Sequence, residues 1–261
     1  MFDGREFARK KMAELLGLHK ASTMVSIYQS SDPGSVLYTR LKKQAAESVG
    51  IKFVDYDVVG KSKDEIITLI KQINANNSIQ GILVQKPSGE MDFSVADWSE
   101  IVYAINPRKD IDGLTPENLG LLTIGTPRFI PATVKAVMTV IKEFGIDLLG
   151  KKAVIVGASE ILGKPLSMLL TDKGATVSLL HMATRKLRNY TQDADLLISA
   201  TGSPELIGAD DIKTGSVVID VGAPRGDVKL EVKDKAAFFS PVPGGVGPVT
   251  IACLLENLLL K

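Results

Sequence analysis

Net charge, cysteine and histidine are all scarce in this chain. Its 31 basic and 30 acidic residues leave a net charge of +1 over 261 residues, so the composition encodes neither a basic surface for nucleic acid nor a polybasic patch for anionic lipid. The single cysteine, Cys253, excludes an intramolecular disulfide and every multi-cysteine metal site. It sits in Thr250-Ile-Ala-Cys-Leu-Leu, an apolar helical pattern, and reads as a buried structural thiol. His19 and His181 are the only histidines; they stand far apart without metal-ligand spacing, and no metal is implied. No apolar run reaches the roughly 18 residues of a membrane span, and Met1-Phe-Asp-Gly-Arg-Glu-Phe-Ala-Arg-Lys-Lys11 carries no apolar core of signal-peptide type. The expectation is a cytosolic protein with a small-molecule partner, no nucleic acid and no membrane.

What the chain does have is alternation. With 45% hydrophobic and 23% charged residues it is long enough for one large core or two modest ones, and two domains fit its organisation better. Apolar positions at helical spacing over 4–17 precede a strand over 23–28, closed by the turn Asp32-Pro-Gly34. A helix over 35–49, a strand over 51–56, a helix over 63–74 and a short buried strand over 81–84 follow. These are βαβ units of a parallel sheet with right-handed crossovers. A helix over 94–103 leads into the polar loop Asn106-Pro-Arg-Lys-Asp-Ile-Asp-Gly113, and 114–130 shows weak periodicity with many Gly, Pro and Thr. After a helix from Pro131 to about Phe144, a second alternation begins: strand 152–156, helix 163–173, strand 176–180, and strands near 195–200 and 216–221. Finally Pro241-Val-Pro-Gly-Gly-Val-Gly-Pro-Val-Thr250 launches an apolar helix to Leu260, expected to return to the first domain.

The second half turns on Ala153-Val-Ile-Val-Gly-Ala-Ser-Glu-Ile-Leu-Gly-Lys-Pro165, a β-branched strand that stops at Gly157 before a helix. Such a turn leaves backbone N–H groups unpaired at a helix start, which suits a phosphate. Its spacing, G-x-S-x-x-x-G, is not the G-x-G-x-x-G dinucleotide fingerprint, so by pattern alone an ordinary βα turn fits equally. In the first half, Tyr38 and Lys42 are four apart on one helix face. A lysine in a partly dry cleft loses its proton easily and serves as acid or base, whereas on a solvated edge the pair does nothing. Gln85 directly follows a strand, where ligands of open α/β sheets gather, although it also suits a strand cap. Asp110 and Asp112 either cap their loop or accept paired N–H bonds from an amidine-like edge such as a pterin's.

Tyr38-x-x-x-Lys42, Gly81-Ile-Leu-Val-Gln-x-Pro87, Lys109-Asp-Ile-Asp-Gly113, Gly157-Ala-Ser-x-Ile-x-Gly-x-Pro165, Asp193-Ala-Asp, Asp220-Val-Gly222 and Pro241-Val-Pro-Gly-Gly-Val-Gly-Pro248 occur together and in order. Across roughly 35–258 the chain resembles the bifunctional methylenetetrahydrofolate dehydrogenase/methenyltetrahydrofolate cyclohydrolase family. The resemblance implies two α/β domains flanking a cleft. A folate-binding catalytic domain would comprise 1–130 with the C-terminal helix 249–261, and a Rossmann-like NAD(P)-binding domain 131–248. It also implies a homodimer acting on one-carbon derivatives of tetrahydrofolate. Carried over residue by residue, it makes Lys42 the proton-handling group of the cyclohydrolase step, Gln85 its hydrogen-bonding holder, Tyr38 a wall of the folate site and Asp112 the grip on the pterin. Gly157, Ala158, Ser159, Gly163, Met182 and Ala223 would contact the cofactor.

Departures from the family pattern are local. Gln85-Lys-Pro-Ser-Gly89 replaces Gln-Leu-Pro-Leu-Pro and adds a cation near the folate wall; Pro131-Ala-Thr-Val134 replaces Pro-Cys-Thr-Pro; Ser240 and Val249 replace a common threonine and methionine; and 225–231 is trimmed. Many members carry arginine where Ala158 stands and a small polar residue where Met182 stands. No Asp or Glu ends the strand at Leu179-Leu-His-Met182, where NAD enzymes hold the ribose diol, and Arg185, Lys186 and Arg188 either offer charge for a 2′-phosphate or form a solvated basic turn. The expected cofactor is therefore NADP, with NAD as the alternative. The rival readings are another two-domain NAD(P)-dependent dehydrogenase, or a folate- or nucleotide-binding protein with reduced catalysis. The first leaves GILVQ and KDIDG unaccounted for, and retention of Lys42, Gln85 and Asp112 speaks against the second.

Overall fold

Two parallel sheets carry the architecture of this computed structural model, which describes residues 1–18, 21–86 and 95–260, and of residues 95 and 96 the backbone alone. His19 and the Pro87-Ser88-Gly89 part of the altered wall lie outside the described residues. The chain divides into two compact units, one of Met1–Ala8, Leu122–Thr126 and Thr133–Thr250, the other of Arg9–Leu121, Pro127–Ala132 and Ile251–Lys261.

Helix α1 (Gly4–Leu16) is followed by β1 (Ser22–Tyr28), α2 (Pro33–Ser48), β2 (Ile51–Asp57), α3 (Lys63–Ala75), β3 (Gly81–Val84), α4 (Val95–Tyr103) and α5 (Pro116–Thr123). The strands form a parallel sheet in the order β2-β1-β3, with Met24 opposite both Phe53 and Gly81. Local chemistry sets the helix starts. Asp32 caps α2 by accepting from the Gly34 and Ser35 N–H groups at 3.3 and 2.8 Å, with Pro33 in the first turn. Ser62 and Glu65 form a reciprocal capping box on α3. All four residues of the edge strand β3 are buried, with Leu83 packed in the core against Ile111 and the C-terminal helix. The core gathers Met24, Ile51, Leu83 and Ile111 with Leu254, Leu255 and Leu258 of the C-terminal helix.

The other unit runs through α6 (Ala132–Glu143), β4 (Lys152–Val156), α7 (Gly163–Asp172), β5 (Thr176–Leu180), α8 (Arg188–Thr191), β6 (Leu196–Ser199), β7 (Val217–Asp220) and β8 (Phe238–Ser240) to the start of α9 (Val246–Leu259), whose residues from Ile251 onward belong to the unit of β1, β2 and β3. Its five strands are parallel in the order β5-β4-β6-β7-β8, a doubly wound arrangement. Register places Val156 opposite Leu180 and Ser199, and Ser199 opposite Asp220, so β4, β5, β6 and β7 end along one sheet edge. Val154, Leu197, Val218 and Phe239 belong to its core. The N-terminal residues add to this unit: the Phe2 N–H donates to the Phe239 carbonyl at 2.9 Å, and its ring meets Phe144 edge-on at 5.3 Å.

The sequence reading lacked β8, α5 and α8. The three-residue β8 is too short to show a period, and α5 begins at Pro116 inside a stretch rich in helix-breaking residues. Among the described residues no helix is long and apolar enough to cross a membrane, and no group of three or more His, Cys, Asp or Glu is arranged for a metal.

Candidate active site

The inward stripe of α2 consists of Ser35, Thr39, Lys42 and Ala46, at the i, i+4, i+7, i+11 spacing that on most surface helices is apolar. The same helix turns Val36, Leu37 and Leu41 outward. Lys42 is consequently only 9% exposed, and its ammonium needs partners. It donates to Gln85 Oε1 at 2.6 Å, a short charge-assisted bond. Gln85 follows β3 directly; its backbone N–H donates to Ile27 at 2.8 Å. Its Nε2 donates to the Lys86 carbonyl at 3.3 Å, which turns the amide oxygen toward Lys42. Burial pushes the Lys42 pKa down, and the charge of Asp112 partly restores it.

Asp112 answers in kind. Burial raises its pKa, while Lys42 and a hydrogen bond from the Ala132 backbone lower it. The two loop carboxylates, equivalent in sequence, are sorted by the fold. Asp110 is a buried strut that accepts from Gly113 N–H at 2.9 Å, Thr115 N–H at 2.7 Å and Asn118 Nδ2 at 2.9 Å. Asp112 is half-buried and electrostatically coupled to Lys42. The loop is anchored to β3 by the Ile82 N–H bond to the Lys109 carbonyl at 2.7 Å. Tyr38 lies one turn before Lys42 and is half-buried. The Lys86 cation is parked 5.0 Å from the centre of the Trp98 ring, a cation–π arrangement.

On the other unit, β4 stops at Gly157, where φ is +117°, a conformation that disfavours any side chain. Gly163 opens α7, and a Cβ there would run into the Gly157 carbonyl oxygen; the glycines let helix and turn touch. Ser159 Oγ accepts from the Leu162 N–H at 3.3 Å, and Ala158 beside it is half-buried. Met182, just past β5, and Ala223, past β7, are exposed. Arg185, Lys186 and Arg188 are exposed as well. All these positions follow the ends of strands that finish along the same edge. The turn therefore fits a dinucleotide: a side-chain-free approach, a helix start and no carboxylate after β5.

Two features had no assigned role in the motifs, although Asp220 opens one of them, Asp220-Val-Gly222. Asn257, a buried amide in the largely apolar run Leu254-Leu-Glu-Asn-Leu-Leu-Leu260, donates from Nδ2 to the Ile111 and Ile130 carbonyls, each at 2.9 Å; its polarity on an apolar helix was the available signal. Asp220 and Asp227 are both fully buried. Asp220 accepts from the Gly222, Asp227 and Val228 N–H groups. Burial, as the largest effect, with the nearby Asp227 charge raises its pKa to about 6.

A doubly wound parallel unit with such a turn, in one chain with a second α/β unit holding a buried lysine, defines a two-unit α/β protein of the nucleotide-binding class. Residues 3–112 match the family described as tetrahydrofolate dehydrogenase/cyclohydrolase, catalytic domain, and residues 131–261 match its NAD(P)-binding domain. The bifunctional protein FolD of Agathobacter rectalis is 40% identical over 258 residues, covering 95% of this chain and 91% of that protein. The crystal structure of the bifunctional FolD enzyme from Campylobacter jejuni superposes with a TM-score of 0.91 at 38% identity, covering 99% of this chain and 96% of that one. The Trypanosoma brucei enzyme, described in complex with NADP cofactor and an inhibitor, gives 0.91 at 30% identity, covering 99% and 95%. The chain belongs to the tetrahydrofolate dehydrogenase/cyclohydrolase family, as its motifs had implied.

Proposed function

We propose that this chain oxidises 5,10-methylenetetrahydrofolate with NADP and hydrolyses the resulting 5,10-methenyl compound to 10-formyltetrahydrofolate, with Lys42 as the proton-handling group. The observation that carries this reading is the desolvated Lys42 ammonium, held 2.6 Å from Gln85 and coupled to Asp112. A lysine whose pKa is lowered by burial approaches the range in which it both gives and takes a proton near neutral pH. Water attacking the methenyl carbon releases a proton, and the ring nitrogen that leaves needs one. The Lys42 Nζ exchanges these protons while Gln85 Oε1 fixes the direction in which its lone pair or N–H points. Tyr38, one turn from Lys42, offers a wall for a flat ring, and Asp112 accepts hydrogen bonds from the pterin edge.

Bound NADP supplies a hydride acceptor for the methylene carbon. Gly157, Ala158, Ser159 and Gly163 would hold its pyrophosphate against the start of α7, with Met182 and Ala223 beside the adenosine and nicotinamide ends. Arg185, Lys186 and Arg188 favour the 2′-phosphate, and without a carboxylate after β5 the diol of NAD lacks its usual acceptor. The functional folate domain is assigned to 1–130 with 249–261 and the cofactor domain to 131–248, in a homodimer.

Initial rates with methylenetetrahydrofolate and each nicotinamide cofactor, following the methenyl chromophore as it forms and decays, test the reading. Formation with NADP and subsequent decay are expected. No methenyl signal with either cofactor overturns the dehydrogenase assignment, a preference for NAD overturns the cofactor, and a persistent methenyl signal overturns the cyclohydrolase. Size-exclusion chromatography with light scattering checks the dimer, which a monomeric mass refutes.

A further inference from the structure

We infer that Asn257 is a positioning residue for Asp112: from the C-terminal helix its amide ties together the two chain segments that flank this carboxylate, and so sets where the carboxylate lies relative to Lys42. The inference rests on the reading of Lys42 as the proton-handling group. One nitrogen, Nδ2, spends both its hydrogens, on the carbonyls of Ile111 and Ile130 at 2.9 Å each. Ile111 immediately precedes Asp112. Ile130 lies two residues before Ala132, whose N–H reaches the Asp112 carboxylate.

The two segments also approach closely without side chains between them. Gly113 has φ +73°, and a Cβ there would lie 3.0 Å from the Pro131 nitrogen. The amide is thus the cross-tie of a narrow gap that has the carboxylate at its edge.

Docking α9 does not call for an amide. Leu254, Leu255 and Leu258 already seat the helix in the core, and a leucine at 257 would continue that packing. An amide that is 6% exposed is tolerated there because its donors are used, and what they use is the backbone on either side of Asp112. The charged surroundings are accounted for. Lys42 feels Asp112, and Asp112 feels Lys42 and lies beside Asp110, which is itself bound by Gly113, Thr115 and Asn118. Beyond Asn118, Arg128 pairs with Glu117 at 2.6 Å. On α9, Glu256 pairs with Lys11 at 2.8 Å.

The test is the proton affinity of Lys42, read from ¹³Cε-lysine NMR titration with the Lys42→Met protein identifying the resonance, beside the pH profile of methenyltetrahydrofolate hydrolysis. In Asn257→Leu the Asp112 carboxylate is held less firmly, so the Lys42 titration and the matching limb of the profile move to lower pH, and kcat/KM falls about tenfold. In an Asp112→Asn background the same substitution produces no further shift of Lys42, because the group it positions carries no charge. A purely structural amide instead lowers Tm equally in both backgrounds and leaves the Lys42 titration unmoved, which overturns the inference. Should Asn257→Leu fail to fold, Asn257→Ser, with one donor on a shorter arm, is expected to give a smaller shift of the same sign; an unmoved Lys42 in that protein also overturns it. Wild type that does not hydrolyse the methenyl compound retires the Lys42 reading itself, whereas active wild type with an unshifted Asn257 variant retires only the positioning role.

Discussion

Replacing Lys42 by methionine separates catalysis from stability. The side chain's carbon stem is packed on the inward stripe of α2, and methionine preserves most of that burial while deleting the ammonium. Desolvating an ammonium costs several kcal/mol; the bond to Gln85 Oε1 returns about 1.5–3 kcal/mol, and the Asp112 charge returns more. Removal leaves Asp112, whose pKa burial raises, without its opposing charge, which offsets part of the gain from no longer desolvating the ammonium. The net change is expected within about 2 kcal/mol and toward higher stability. Its pH dependence has a definite sign. Burial lowers the folded pKa below the ordinary 10.5, so the unfolded chain binds the proton more tightly. The wild-type disadvantage is then full below the folded pKa and disappears as pH rises past 10.5. Hydrolysis, by contrast, should fall about 10²–10⁴-fold, the range of a lost acid–base group. The assay is decay of the methenyl chromophore in single turnover, beside a denaturation curve at two pH values. Hydrolysis within about threefold of wild type in a folded Lys42→Met protein refutes the reasoning.

Gln85→Leu removes the only hydrogen bond seen from Gln85 to the ammonium; the Lys42 limb of the pH–rate profile should move to lower pH and turnover should fall about 10–100-fold, and an unshifted profile would show that Asp112 alone sets that proton affinity. In Gly163→Ala the new methyl collides with the Gly157 carbonyl oxygen; NADP affinity, read by fluorescence of the reduced cofactor, should drop at least about tenfold with a stability loss of about 1–3 kcal/mol, and normal affinity removes this turn from the site. Asp220, raised from 3.8 to about 6, binds its proton more tightly folded than unfolded, so the stability tied to that proton is present below 3.8 and lost as pH rises through about 6. Relative to Asp220→Asn, wild type should therefore lose about 2 kcal/mol between pH 4 and pH 8; a constant difference in chemical denaturation across that range would mean that Asp220 stays ionised.

What the sequence made legible was what repeats or what is rigidly spaced. Strand–helix alternation located both parallel sheets, and β4 and β5 fell on the observed residues because each is a short apolar run bounded by turn residues. Tyr38 and Lys42 were found by helical spacing, and Gln85 by its position after a strand. The motif order identified the family. Three things stayed hidden for one reason: tertiary contacts, not local pattern, decide them. Asp110 and Asp112 occupy like positions in Lys109-Asp-Ile-Asp-Gly113, and only the parallel bridge of this loop to Ile82 turns one inward as a strut and leaves the other facing the lysine. The strand β8 exists because Phe239 pairs with Val218, a partner 21 positions away by number. Asn257 acquires meaning only from carbonyls 146 and 127 residues distant.

The same contacts explain why polar groups are buried where they are. An α/β unit gains nothing in stability from a lysine on the inward stripe of a helix, nor from an amide on its most apolar one, since each must recover its lost hydration from specific partners. Here those partners form one chain of contacts in a single unit: Gln85 on Lys42, Lys42 toward Asp112, the Ala132 N–H on Asp112, and Asn257 on the backbone to either side. A lysine with only water for company would keep its ordinary proton affinity, and one buried without a carboxylate nearby would stay neutral. Only the intermediate arrangement, dry enough to weaken the ammonium and charged enough to retain it, leaves a proton available for transfer in both directions. The fold therefore constrains the position of Asp112 as tightly as that of Lys42, and substitutions that loosen the carboxylate should alter the pH range of hydrolysis before they alter the fold.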